Sequence, residues 1–254
     1  MKGLALLFKF MTRLPFPGGD KFDSEALGKS MKWFPVVGLV IGIINLVVGT
    51  FLQMYIPSNL IIAIILVTLD VVITGGLHLD GLADTFDGIF SYRSKQKMLE
   101  IMKDSRVGTN GVLVLVLYFI FKIALLMEVS NLFGISQGVI MLIVPVLSRI
   151  GGVVNCATEP YARGTGMGKT FVDNTNMTSL MWSYALVTAI IFGISHYFAL
   201  PFVNLFLIQN IVAVVGFLFG KLITRKIGGI TGDTLGALLE LSSVLALLLI
   251  YVIL

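Results

Sequence analysis

Phe34-Pro35-Val36-Val37-Gly38-Leu39-Val40-Ile41-Gly42-Ile43-Ile44-Asn45-Leu46-Val47-Val48-Gly49-Thr50-Phe51-Leu52-Gln53-Met54-Tyr55 runs for 22 residues without a charged side chain. About 20 helical residues cross the hydrocarbon layer of a bilayer, so this stretch alone is long enough to span one. Further long apolar runs, with at most one Asp, Glu, Lys or Arg each, lie between short polar breaks: Leu60 to Leu77, Val107 to Met127, Phe133 to Val154, Leu180 to Leu200, Phe202 to Ile223 and Leu235 to Leu254. Lipid cannot satisfy open backbone groups and the runs lack the short alternation of barrel strands, so they are expected as helices. Hydrophobic residues make up 57% of the 254 and charged ones 13%, too little polar surface for a soluble domain of this size. The expectation is an all-α, polytopic integral membrane protein of about seven transmembrane helices, forming a single integral membrane catalytic domain over residues 1–254. Pro57-Ser58-Asn59 and Pro201 mark tight hairpins.

Basic residues set the orientation. Six precede the first span (Lys2, Lys9, Arg13, Lys21, Lys29, Lys32) and five lie between the second and third (Arg93, Lys95, Lys97, Lys103, Arg106). Arg149, Arg163 and Lys169 bracket the loop after the fourth span, and Lys221, Arg225 and Lys226 follow the sixth. The positive-inside rule then places the N-terminus and the long loops in the cytoplasm of a multi-pass plasma (inner) membrane protein, with the C-terminus outside. Only Lys122 breaks the alternation, near the far end of the third span, where snorkelling would carry its ammonium to the interface. Met1 to Met11 is too short to span and has no small-residue cleavage site, so it is expected as an interfacial amphipathic helix that serves as an anchor, followed by a turn at Pro15-Phe16-Pro17-Gly18-Gly19. A net charge of +4 is explained by this topology, and without a zinc finger, basic helix or aromatic-basic interleaving no nucleic-acid partner is expected. The lone Cys156 excludes an intramolecular disulfide and reads as a buried thiol.

Against this apolar background stand three carboxylates in Gly75-Gly76-Leu77-His78-Leu79-Asp80-Gly81-Leu82-Ala83-Asp84-Thr85-Phe86-Asp87-Gly88 and a fourth at Asp104. Taken as a helix continuing from the second span, at about 100° per residue, Asp84 lies roughly 40° around from Asp80 and Asp87 returns to within about 20°. All three share a face, and His78 falls nearly opposite, where it is either a substrate or metal contact or a neutral polar cap. Like charges on one face repel unless a cation offsets them, and an all-oxygen set favours magnesium or manganese over zinc. Asp80 and Asp87 are roughly 10 Å apart along an ideal axis, so two ions, or one completed by Asp104 and substrate phosphates, fit better than one shared by that pair. Gly81 and Gly88 leave room for a ligand or support close helix packing. The alternative is an exposed acidic cap at the end of a helix.

The loops expected on the inner side supply cations suited to phosphate. Lys103-Asp104-Ser105-Arg106 sets bases and a hydroxyl beside Asp104, and the Arg106 fork can hold two phosphate oxygens. Arg163-Gly164-Thr165-Gly166-Met167-Gly168-Lys169-Thr170 lacks the spacing of a nucleoside-triphosphate loop, leaving a glycine-rich phosphate contact through Arg163 or Lys169, or a solvated turn. Asp233 precedes the last span and can coordinate metal or orient a ribose. Glu240 and Asp70 are intramembrane carboxylates that call for a partner or a task, with Asp70 suited to an interhelical contact. Together these point to phosphoryl or phosphodiester transfer.

His78-Leu79-Asp80-Gly81-Leu82-Ala83-Asp84-Thr85-Phe86-Asp87-Gly88, Met102-Lys103-Asp104-Ser105-Arg106-Val107-Gly108 with Gly111, Thr12-Arg13-Leu14-Pro15-Phe16-Pro17 and Gly232-Asp233-Thr234-Leu235-Gly236 resemble the cobalamin synthase family, also called adenosylcobinamide-GDP ribazoletransferases, over nearly the whole chain. The resemblance implies transfer of the adenosylcobinamide phosphate moiety of adenosylcobinamide-GDP to alpha-ribazole or its 5'-phosphate, with release of GMP and magnesium (Mg2+) as cofactor. It implies that Asp80, Asp84, Asp87 and Asp104 hold the metal, one of them serving as base. Arg106, Arg163 and Lys169 would neutralise phosphate, Asp233 would complete the pocket, and His78, Lys103 and Ser105 would join the substrate-binding set. The expected partners are these substrates and the lipid bilayer, with a homo-oligomer also compatible. A CDP-alcohol phosphotransferase is the nearest alternative, but Asp87-Gly88 is followed by Ile89-Phe90-Ser91-Tyr92 and not by its signature. A transporter using Asp70, Glu240 and the acidic cluster as an ion path is the other.

Overall fold

The structure, a computed structural model, describes residues 2–18 and 21–254. Met1 and Gly19, which belong to the N-terminal expectations above, lie outside those residues. The described chain is helical apart from one isolated bridge. In order come α1 (Lys2–Met11), α2 (Ser24–Lys29), α3 (Phe34–Tyr55), α4 (Asn59–Thr74), α5 (Leu77–Ile89), α6 (Lys95–Ile101), α7 (Thr109–Phe133), α8 (Gln137–Thr158), α9 (Met167–Asn174), α10 (Met177–Phe198), α11 (Phe202–Ile227) and α12 (Gly232–Ile253), with a short 3-10 turn at Ser30–Trp33. The protein is a polytopic helical membrane protein: α3, α7, α8, α10, α11 and α12 are each long and apolar enough to cross a bilayer.

The second span differs from its expected form. Gly75 and Gly76 both adopt left-handed φ, +65° and +72°, and turn the chain by 91° between α4 and α5. The carboxylate-bearing segment is therefore not a continuation of the span. With 16 residues, α4 reaches about 24 Å, while α5 turns aside and runs across its end. Thr74 is the last helical residue before the break, because residues with a Cβ resist two successive left-handed positions.

At the centre lies α8, buried along its spanning length. Glycines let its neighbours approach. A Cβ on Gly38 or Gly42 of α3 would stand 2.4 Å from the Pro145 carbonyl oxygen or 2.6 Å from that of Leu142. On α11, one on Gly216 would stand 2.7 Å from the Gly151 Cα. Small residues spaced four apart bring helix backbones together where lipid gives little hydrophobic drive to association.

Polar groups stitch the same interior. Lys122 of α7 is 3% exposed and does not snorkel, which corrects the expectation for it. Its ammonium meets Asp70 of α4 at 3.2 Å and Tyr118 at 2.7 Å, and Tyr118 donates to Glu240 of α12. Asn45 of α3 donates to the other Asp70 oxygen at 2.7 Å. Two acids within the bundle draw the lysine inward more strongly than the interface draws it out. Cys156 is buried and unpaired.

The N-terminal segment forms the expected short helix. Leu6, Leu7, Phe8 and Met11 of α1 are buried against Leu27, Met31 and Phe34, so its apolar face packs into protein.

Candidate active site

Alternate helices begin and end so that the α4/α5 bend, the segment before α7, the loop after α8 and the start of α12 share one end of the bundle. Two close packings fix them there. Gly81 of α5 lies against the Asp233 backbone, where a Cβ would be 2.7 Å from the carbonyl oxygen, and Gly236 of α12 lies against His78. Gly88 is filled in the same way by Met102, so both α5 glycines serve close packing. A parallel bridge joins Tyr161 to Ile230, with Ala162 N–H donating to the Ile230 carbonyl and Ile230 N–H to that of Pro160, both at 2.8 Å. The bridge carries Arg163 to Asp233, an ion pair of 2.9 Å.

The four expected carboxylates meet different surroundings. Asp87 accepts the backbone N–H groups of Gly108 and Gly111 at 2.6 and 2.8 Å, so it caps the N-terminus of α7 from another helix. A Cβ on either glycine would stand 2.5 Å from an Asp87 oxygen. Asp104 turns to Arg106, accepting its Nε at 3.0 Å and its Nη2 at 2.6 Å. These bonds hold the Asp104 carboxyl down at about 2. The structure does not bring Asp104 to the other three. Asp80 is exposed on the rim of a cavity, and Asp84 is half-buried one turn further along α5.

Among the described residues, neither Asp80 nor Asp84 accepts a hydrogen bond or sits in an ion pair. Burial, and then Asp80, Asp233 and Asp87, push Asp84 up to about 7, while Arg163 pulls it down. Asp84 thus lies where negative charge is under-compensated. Among the described residues no three acidic, histidine or cysteine side chains converge to hold a metal unaided.

The other expected contacts divide in the same way. Lys103, Ser105 and Arg106 are exposed around Asp104, and Lys169 pairs with Asp173 at 2.7 Å one turn along α9. His78 is buried yet lines the same cavity as Asp80, although the helical wheel sets them on different faces. That cavity holds about 240 Å³. The sequence reading missed Phe10, Met11, Tyr161 and Phe171, all of which line it. The apolar face of the N-terminal segment was the available signal for Phe10 and Met11, and the aromatic beside Arg163 was the signal for Tyr161.

A multi-pass helical bundle with a cavity lined by acids and an arginine at one end defines a helical membrane protein with a charged pocket. The model of the cobalamin-5-phosphate synthase family matches residues 3–251, and the chain belongs to that family. Relatives named adenosylcobinamide-GDP ribazoletransferase include one from Fusobacterium nucleatum subsp. nucleatum, 48% identical over 100% of this chain and 98% of the relative. Another, from Acetivibrio thermocellus, is 39% identical over 99% and 98%, and one from Clostridioides difficile is 38% identical over 100% and 98%. No solved structure matches the chain. Membership makes the protein a membrane transferase of cobalamin biosynthesis.

Proposed function

We propose that the protein joins adenosylcobinamide-GDP to alpha-ribazole or its 5'-phosphate, giving adenosylcobalamin or its 5'-phosphate and releasing GMP. The observation that carries this reading is the pair of unengaged carboxylates, Asp80 and Asp84, next to the Arg163–Asp233 ion pair, in a chain aligned end to end with the ribazoletransferases. The ribose 3'-hydroxyl attacks the phosphorus bonded to the cobinamide aminopropanol oxygen. The bond from that phosphorus to the bridging oxygen breaks, GMP leaves with the bridging oxygen, and the hydroxyl proton passes to a carboxylate.

Magnesium fits the site. It is commonly bound by one or two carboxylates plus substrate phosphates and water, which agrees with two open acids and no complete protein cage. The raised Asp84 marks where positive charge is missing. Asp80 and Asp84 would hold the ion, which when bound would offset charge building on the diphosphate. Arg163, steadied by Asp233, binds phosphate oxygens, and the same two carboxylates are the unengaged proton acceptors there. Asp87 sets the position of α5 against α7. The sequence-derived orientation puts this end of the bundle in the cytoplasm, where both substrates are soluble.

The purified protein in liposomes, supplied with adenosylcobinamide-GDP and alpha-ribazole, is expected to release one GMP per corrinoid product. Chelation of magnesium should stop release and its return should restore it. Movement of either substrate into sealed vesicles without GMP formation would replace this reading with a carrier.

A further inference from the structure

We propose that the cavity beneath Asp80 seats the aromatic base of the acceptor nucleoside, with His78 donating a hydrogen bond to its unsubstituted ring nitrogen. The assignment rests on the ribazole-transfer reading above and deepens it.

Size makes the first selection. At about 240 Å³ the cavity is smaller than the roughly 300 to 1,000 Å³ of sites that enclose drug-sized ligands. It takes one fused ring system and cannot admit a corrin macrocycle. The donor substrate must therefore lie outside it and present only its diphosphate at the rim.

Polarity makes the second selection. The floor is built from Phe10, Met31, Phe34, Phe171 and Leu239, brought together from α1, the 3-10 turn, α3, α9 and α12. Guanine, the other base in the reaction, carries hydrogen-bonding groups around most of its edge and would leave several unpaired on such a floor. The dimethylbenzimidazole of ribazole is hydrocarbon except for one free ring nitrogen.

Among the polar residues of the lining, which also include Asp80, Tyr161, Arg163 and Asp233, His78 is the neutral ring suited to meet it. His78 is 5% exposed, lines the cavity, and both of its ring nitrogens are buried without a hydrogen-bond partner. Buried polar atoms are seldom left so, and an imidazole N–H pointed at a ring nitrogen would satisfy both groups. Asp80, Arg163 and Asp233 sit at the edge of the same cavity, which puts the ribose of a seated base next to the carboxylates.

Two substrate-resolved measurements of GMP release by the full-length protein in liposomes test the assignment. Gly152 of α8 lines the cavity, and a Cβ there meets nothing closer than Phe34 Cε1 at 3.4 Å, so Gly152→Val grows into the space. Its KM for alpha-ribazole should rise at least about tenfold, while its KM for adenosylcobinamide-GDP changes by less than about twofold. In the wild type, the riboside of dimethylindole, which has CH in place of the ring nitrogen, should show a KM about tenfold above that of alpha-ribazole. His78→Ala should erase that difference. If Gly152→Val does not reach the membrane, the analogue comparison in the wild type decides. Equal KM values for the two ribosides, or a Gly152→Val effect confined to adenosylcobinamide-GDP, overturns the base assignment and leaves the reaction standing. A wild type that releases no GMP overturns both.

Discussion

Asp84 illustrates how little a carboxylate's role depends on its own identity. It shares a helix with Asp80 and Asp87, but Asp87 accepts two backbone N–H groups while Asp84 is left among other acids without a donor. With its proton affinity raised to about 7, Asp84 in the metal-free protein holds a proton below that pH and releases it above. On the proposed role, magnesium binding at Asp84 would displace this proton, so the magnesium concentration for half-maximal activity should rise as pH falls below about 7, by up to about tenfold per unit, and level off above it. Asp84→Asn should lower kcat by at least about 1,000-fold with normal membrane insertion and should remove that pH dependence from magnesium binding. Titrations of GMP release between pH 5.5 and 8.5 measure both. The helical wheel correctly gathered Asp80, Asp84 and Asp87, since i, i+4 and i+7 spacing is a local property. The two N–H donors that Asp87 meets at Gly108 and Gly111, and the Arg163–Asp233 pair beside Asp80 and Asp84, were not legible as neighbours, because they reach α5 only through tertiary packing.

Among the elements, the α4/α5 bend does most to place the site. At Gly75 a side chain would meet two obstacles, a φ of +65° and a Cβ 2.3 Å from Arg13 Nε, whereas at Gly76 the φ is +72° and the space is open. Gly76→Ala is therefore expected to cost about 1 to 2 kcal/mol, the ordinary penalty for a left-handed alanine, and Gly75→Ala more. Thermal unfolding in detergent, alongside GMP release, ranks the two. The apolar run and its length were plain in the sequence. The right-angle turn was not, because glycine pairs inside membrane segments also serve close packing, as Gly81 and Gly88 do. The N-terminal segment was legible as an amphipathic helix, but its packing against Leu27, Met31 and Phe34 was not, because an apolar face reads the same whether it meets lipid or protein.

For the molecule as a whole, one buried cation, Lys122, serves two acids within the bundle. Lys122→Ala would leave Asp70 and Glu240 facing each other's surroundings without their cation and should destabilise the fold by about 3 to 5 kcal/mol, as removal of one member of a buried pair does. Loss of folded protein on heating in detergent would measure it. Orientation can be tested cleanly because the only cysteine, Cys156, is buried. Cysteines introduced at Ser94 and Thr165 should react with an impermeant thiol reagent from the cytoplasmic side alone, and labelling from the other side would reverse the topology. The enclosure of α8 carries an assembly consequence. This helix, with Arg149 in its interior face, emerges from synthesis before α10, α11 and α12, the helices that complete its covering. Until those last helices arrive it must remain beside lipid or insertion machinery with a cation unshielded. The C-terminal third therefore acts as the closing wall of the bundle, and chains interrupted before it should be cleared by membrane proteases instead of accumulating as a stable half.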